Sequence, residues 1–127
     1  MKYLYCDSCF LITMFQEGRL NALSQYKKQF FVAETQIQGE LIKPRELSLK
    51  VRESISVIVN DREEIVEKTS ELYNYNQTLS KYDCLCMAYS LIDGYCLITN
   101  DKALIKKCRN LNITVKTAEE ILKEFNI

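Results

Sequence analysis

Tyr95-Cys96-Leu97-Ile98-Thr99, followed at once by Asn100-Asp101, decides the fold. Its apolar run is continuous instead of alternating, the pattern of a strand covered on both faces. Phe30-Phe31-Val32-Ala33 has the same character, and Lys2–Cys6 (KYLYC) and Ile113–Val115 add two further β-rich runs. Each precedes a stretch with helical spacing, and such alternation means βαβ units. Ser54–Val59 is a weaker extended run. Asp61-Arg62-Glu63-Glu64 after it has the form of a capping box opening a helix to about Tyr75. The start signal recurs at Ser80 with Asp83 and at Thr117 with Glu120. A last helix from Ala118 to about Phe125 puts Ile121, Leu122 and Phe125 on one stripe. These features predict an α/β chain, a three-layer α/β/α sandwich with a central, mainly parallel sheet.

Composition agrees. The 127 residues suit one domain spanning 1–127, with 47% hydrophobic and 27% charged residues, as in soluble globular proteins. Three Gly and one Pro leave little room for long irregular loops. The longest apolar run, Cys84–Tyr89, is six residues, against the roughly 20 that span a bilayer. Asp7 interrupts what would have to be the apolar part of a signal peptide, so a cytoplasmic location is expected.

Histidine is absent, which removes Ser-His-Asp and Cys-His pairs, His-ligated zinc and every imidazole base. The six cysteines read as reduced, mostly buried thiols. Cys6 and Cys9 form a C-x-x-C, a spacing that can lower a thiol pKa near a helix start. Cys84 and Cys86 have the wrong spacing to complete a zinc site with them.

Ligands of parallel α/β sheets bind beyond the carboxyl ends of the strands. Asp7 follows the first strand and Asp101 the later one. In the helix after Phe30–Ala33, Ile37 and Leu41 set the buried stripe; at 100° per residue Glu40 flanks it, about 60° from Ile37. Asp83 lies in the first turn of a helix whose Leu85, Ala88, Tyr89 and Ile92 form an apolar stripe. Each acid has an ordinary structural use: Asp101 as a helix cap, Asp83 in a capping box, Glu40 on a solvated rim, Asp7 at a helix start. Gathered at one edge, however, four carboxylates repel one another unless a cation neutralises them. Hard oxygen donors favour Mg²⁺ or Mn²⁺ over zinc.

Taken together, Tyr3–Ile12 (YLYCDSCFLI), Gln36–Leu41 (QIQGEL) and Leu79–Leu122, with its LSKYDCLCMAY, LITNDKAL and NITVKTAEEIL, resemble the PIN-domain ribonucleases, which include the VapC-type toxins of toxin–antitoxin pairs. The resemblance covers about half of the chain in order; Lys43 to Thr78 matches no motif, and Cys9 stands where the family often has a small hydroxyl or aliphatic residue. It implies that Asp7, Glu40, Asp83 and Asp101 are the catalytic acids, with Asp7, Asp83 and Asp101 as metal ligands for Mg²⁺ or Mn²⁺. Glu40 would bind metal or position the attacking water, and Ser8 and Thr99 are the small hydroxyl residues beside the first and last acids. It further implies an RNA substrate, 5′-phosphate and 3′-hydroxyl products, a homodimer and an antitoxin partner.

Net charge is zero, so RNA held near these acids needs a local basic rim. Lys102, Lys106, Lys107 and Arg109 form one candidate, Lys43 with Arg45 another. Some of the eight tyrosines and five phenylalanines could stack unpaired bases, favouring single-stranded or looped RNA. Three other readings stay open: a non-catalytic nucleic-acid or protein-binding module, a housekeeping RNA-processing nuclease, and a phospho-acceptor receiver domain. The last is opposed by Glu34, not Asp, after Phe30–Ala33.

Overall fold

A computed structural model describes residues 2–75 and 78–127. Five parallel strands form one sheet in the order β3-β2-β1-β4-β5: β1 (Leu4–Cys6), β2 (Phe30–Ala33), β3 (Ser56–Ile58), β4 (Cys96–Ile98) and β5 (Val115–Lys116). Leu4 pairs with Phe30 on one side and Cys96 on the other, which makes β1 the central strand. Seven α-helices are described: α1 (Ser8–Gln16), α2 (Glu34–Glu40), α3 (Arg45–Ser54), α4 (Glu63–Tyr75), α5 (Lys81–Asp93), α6 (Lys102–Asn110) and α7 (Ala118–Glu124), with a 3₁₀ segment over Leu20–Tyr26. The architecture is the expected α/β/α sandwich, and its sheet is parallel throughout.

The continuous apolar runs have the expected cause. Leu4, Tyr5, Cys6, Leu97 and Ile98 are without solvent contact because helices cover the central strands. Helix α5 packs on β1 and β4 with α4 against it, while α1, α3 and the 3₁₀ segment form a second group. Phe125 tilts over Phe30 at 5.2 Å between ring centroids, fastening the chain end to β2.

Several boundaries differ from the sequence reading. Residues 113–115 do not form the last strand as drawn. The Ile113 amide closes the end of α6 on the Cys108 carbonyl at 2.8 Å, with Asn112 at φ 58°, so β5 begins at Val115. The extended run Ser54–Val59 loses its first two residues to α3 and its cap, Ile55. Two helical segments had no assignment, the 3₁₀ turn and α3. Asp61 does not serve as the capping box of α4: Thr35 Oγ1 donates to its Oδ2 at 2.6 Å and the Tyr89 hydroxyl to its Oδ1, so it ties α2 to α5. The boxes at Ser80/Asp83 and Thr117/Glu120 are both present.

Candidate functional site

Asp7 leaves the end of β1 in extended conformation and starts α1 without capping it by its side chain. Thr99, buried just past β4, donates its hydroxyl to Asp7 Oδ2 at 2.8 Å and accepts the Asp101 amide at 3.0 Å. One side chain thus holds the first and last acids relative to each other. Asp101 caps α6 by accepting the Leu104 amide at 3.1 Å, and Asp83 closes the Ser80 capping box at the start of α5. Their structural uses and their strand-end positions coincide: capping pins each carboxylate at a helix N-terminus, where backbone N–H groups face the same edge.

Glu40 ends α2. Its Oε1 accepts the Ser8 hydroxyl at 2.7 Å, which joins it to the start of α1 beside Asp7. Gly39 explains how α5 comes so close. A methyl group there would lie 2.0 Å from the Tyr82 hydroxyl oxygen, so any other residue would make the Tyr82 ring, next to Asp83, move away from α2. Sequence reasoning missed Gly39, although an isolated glycine inside a helical pattern is a signal of close approach.

Electrostatics show that the acids face one another. Burial, followed by the Asp83 and Glu40 charges, raises Asp7 from 3.8 to about 6 despite the Thr99 hydrogen bond. Glu40 is raised by burial and the Asp83 charge, and Asp83 by burial and the Asp101 charge. The exposed Cys9 thiol, raised mainly by desolvation, also feels all four carboxylates. Among the described residues, no group of three His, Cys, Asp or Glu side chains is arranged to hold a metal ion by itself. The edge is open, and the cleft of about 210 Å³ lined by Thr35, Asp61, Val66, Thr69, Tyr82 and Leu85 contains none of the four acids.

The C-x-x-C does not form a redox pair. Cys6 is fully buried and its thiol is pushed far up by desolvation, and Cys9 is shifted in the same direction, the opposite of a reactive thiolate. All six cysteines are free, and five are buried.

No protein-family model matches the sequence, and no curated protein does. Solved structures do match. PAE2754 from Pyrobaculum aerophilum superposes with a TM-score of 0.69 at 15% identity, over 98% of this chain and 96% of that one. A toxin–antitoxin complex from Klebsiella pneumoniae gives 0.58 at 21% identity, covering 79% of this chain and 87% of the matched chain. VapBC2 from Rickettsia felis, bound to a DNA fragment from its promoter, gives 0.64 at 13%, over 91% and 98%. The chain is VapC-like and PIN-like in fold. Among the described residues, no helix is long and apolar enough to cross a membrane.

Proposed function

We propose that the chain is an endoribonuclease dependent on Mg²⁺ or Mn²⁺, cleaving single-stranded or looped RNA in the cytoplasm as the toxin of a toxin–antitoxin pair. One observation carries this reading: Asp7, Glu40 and Asp83 have their acidities weakened by burial and, less, by a neighbouring acid of the same four, while Thr99 bonds both Asp7 and Asp101 at the carboxyl end of the parallel sheet. The donor set fits a hard divalent ion. It is all oxygen, and Mg²⁺ keeps several waters and takes one or two carboxylates plus substrate phosphates, so it needs no closed protein cage.

Asp7, Asp83 and Asp101 would hold the ion. A bound ion supplies a water of lowered pKa and offsets charge on the phosphoryl oxygens, which replaces the missing imidazole. Glu40, held by Ser8, positions the attacking water or adds a ligand. Thr99 fixes the relative placement of Asp7 and Asp101. Lys102, Ile105, Lys106 and Arg109 share one stripe of α6, starting one residue after Asp101. Among the described residues none of the three cations on that stripe is in an ion pair, which suits a track for RNA phosphates. Lys43 and Arg45 are a second candidate. A homodimer and an antitoxin partner belong to the same proposal.

The test is cleavage of an RNA panel in Mg²⁺ or Mn²⁺ with and without chelator, together with toxicity on expression and its relief by a neighbouring small gene. Chelator-sensitive products with 5′-phosphate ends are expected, and insensitivity to chelator would refute the proposal. A non-catalytic PIN-like binding module is the second reading. Weak metal affinity by calorimetry with no cleavage of any RNA would select it.

A further inference from the structure

Gln36 of α2 is a fully buried polar side chain hydrogen-bonded to β1 and α1, and its Oε1 also accepts the Cys86 thiol of α5 at 3.5 Å. Its Nε2 donates to the Cys6 carbonyl at 3.2 Å and to Ser8 Oγ at 2.8 Å, and its Oε1 accepts the Tyr5 hydroxyl at 2.7 Å. The Tyr5 hydroxyl in turn accepts the Ala33 amide at 3.0 Å. These partners leave the amide one orientation. The Cys6 carbonyl can only accept, so the NH₂ must face it; a flipped amide would set oxygen against oxygen. Ser8 Oγ, accepting a hydrogen bond from Gln36 Nε2, directs its own hydroxyl proton to Glu40 Oε1. A one-way series of donors therefore runs from the Ala33 amide through Tyr5, Gln36 and Ser8 to the carboxylate of Glu40. Neither end can reverse, because an amide only donates and an ionised carboxylate only accepts.

We infer that Gln36 is a positioning residue that directs the Ser8 hydroxyl onto Glu40 and so fixes Glu40 beside Asp7. The inference deepens the proposed nuclease, but its geometry is that of the protein alone. Gln36 and Glu40 stand one turn apart on α2, so the same helix face carries both the acid and the group that aims its partner. Without the Nε2 donor, the Ser8 hydroxyl can rotate away from Glu40, and of the two hydrogen bonds that join Ser8 of α1 to α2 one is gone and the other is no longer aimed. Buried networks fix geometry only when every member is satisfied. This one is satisfied from end to end.

The test uses Gln36→Met, which keeps length and burial but removes both amide functions, in the Ser8 and the Ser8→Ala backgrounds. In the metal-free protein, NMR should show a slowly exchanging Ser8 hydroxyl proton in contact with the Gln36 amide protons, lost in Gln36→Met. In cleavage assays kcat should fall by about tenfold or more with KM nearly unchanged, and Gln36→Met should add little once Ser8 is alanine. Gln36→Met acting equally in both backgrounds, or a wild-type Ser8 hydroxyl proton that exchanges freely, would overturn the inference. The NMR result stands whether or not the chain cleaves RNA, so failure of the nuclease reading leaves a distinct signature.

Discussion

The unpaired acids around Asp7 and the ion-paired acids Glu34 and Glu124 are the same residue types in opposite circumstances. Glu34 receives the Arg52 guanidinium and the Gln38 amide, which hold its carboxyl down at about 2. Glu124 accepts both Lys2 and Lys116 and is likewise lowered. Asp7, Glu40 and Asp83 have hydroxyl and amide donors but no cation in an ion pair with them among the described residues, and all three are raised. Glu34 and Glu124 have cations beside them; Asp7, Glu40 and Asp83 are held near one another without one. Such an arrangement costs stability, and structure at a site that costs stability points to a ligand that repays the cost.

The largest expected effect breaks the comparison at its functional end. Asp7→Asn or Asp101→Asn should reduce chelator-sensitive RNA cleavage by on the order of 100-fold or more, whereas Glu124→Gln should leave it within about twofold, since surface charge changes are small in effect. Cleavage retained in either Asn variant contradicts the assignment of the acids.

Next comes stability without metal. Asp7 is almost fully buried and its carboxyl titrates near 6 instead of 3.8. A carboxyl raised in the folded state disfavours folding once ionised, so stability is retained below about pH 4 and lost as pH climbs through 6. The rise corresponds to about 3 kcal/mol. Asp7→Asn keeps an acceptor for Thr99 and sheds the charge. In chelator at pH 7 it should melt several degrees higher than the wild type, and at pH 4 the gain should vanish. An Asn variant that melts lower at pH 7 would show that charge is not what the edge is paying for.

How far this contrast could be foreseen depends on which interactions are local. The strands Phe30–Ala33 and Cys96–Ile98, and the boxes Ser80/Asp83 and Thr117/Glu120, were legible because periodicity and capping act within a few residues. Asp7 and Asp101 were legible as strand-end acids for the same reason. What stayed hidden depends on partners distant in sequence. Asp61 looked like a cap and became a tie to Thr35 and Tyr89, and Gln36 looked like one more helical polar residue until Tyr5 and Ser8 closed around it. Gly39 showed its purpose only once Tyr82 lay against it. Helix α3 was missed because its buried residues, Leu47, Val51 and Ser54, are sparse among charges.

A smaller effect sharpens the comparison. Millimolar Mg²⁺ or Mn²⁺ should raise the wild-type melting temperature, since a ligand that binds only the folded state stabilises it by about 1.4 kcal/mol at tenfold excess over Kd. Protons compete for Asp7 near pH 6, so the rise should be larger at pH 7.5 than at pH 5. It should be absent in Asp7→Asn.

The smallest effect belongs to the Glu34–Arg52 pair. Glu34 and Arg52 form a two-pronged pair, but their side chains are 27% and 37% exposed, so solvent screens most of the attraction. A carboxyl held low stabilises above its unfolded pKa and loses that contribution as pH falls from about 4.5 toward 2. Glu34→Gln should therefore cost no more than about 1 kcal/mol at pH 7, less in 1 M salt, and nothing near pH 2. Thermal melts of this variant beside Asp7→Asn at pH 7 compare the two sets of acids directly: losing the paired charge of Glu34 should destabilise slightly, and losing the unpaired charge of Asp7 should stabilise. Shifts of the same sign would mean that the two sets of carboxylates are not electrostatic opposites, and the case for a cation at the edge would then rest on topology alone.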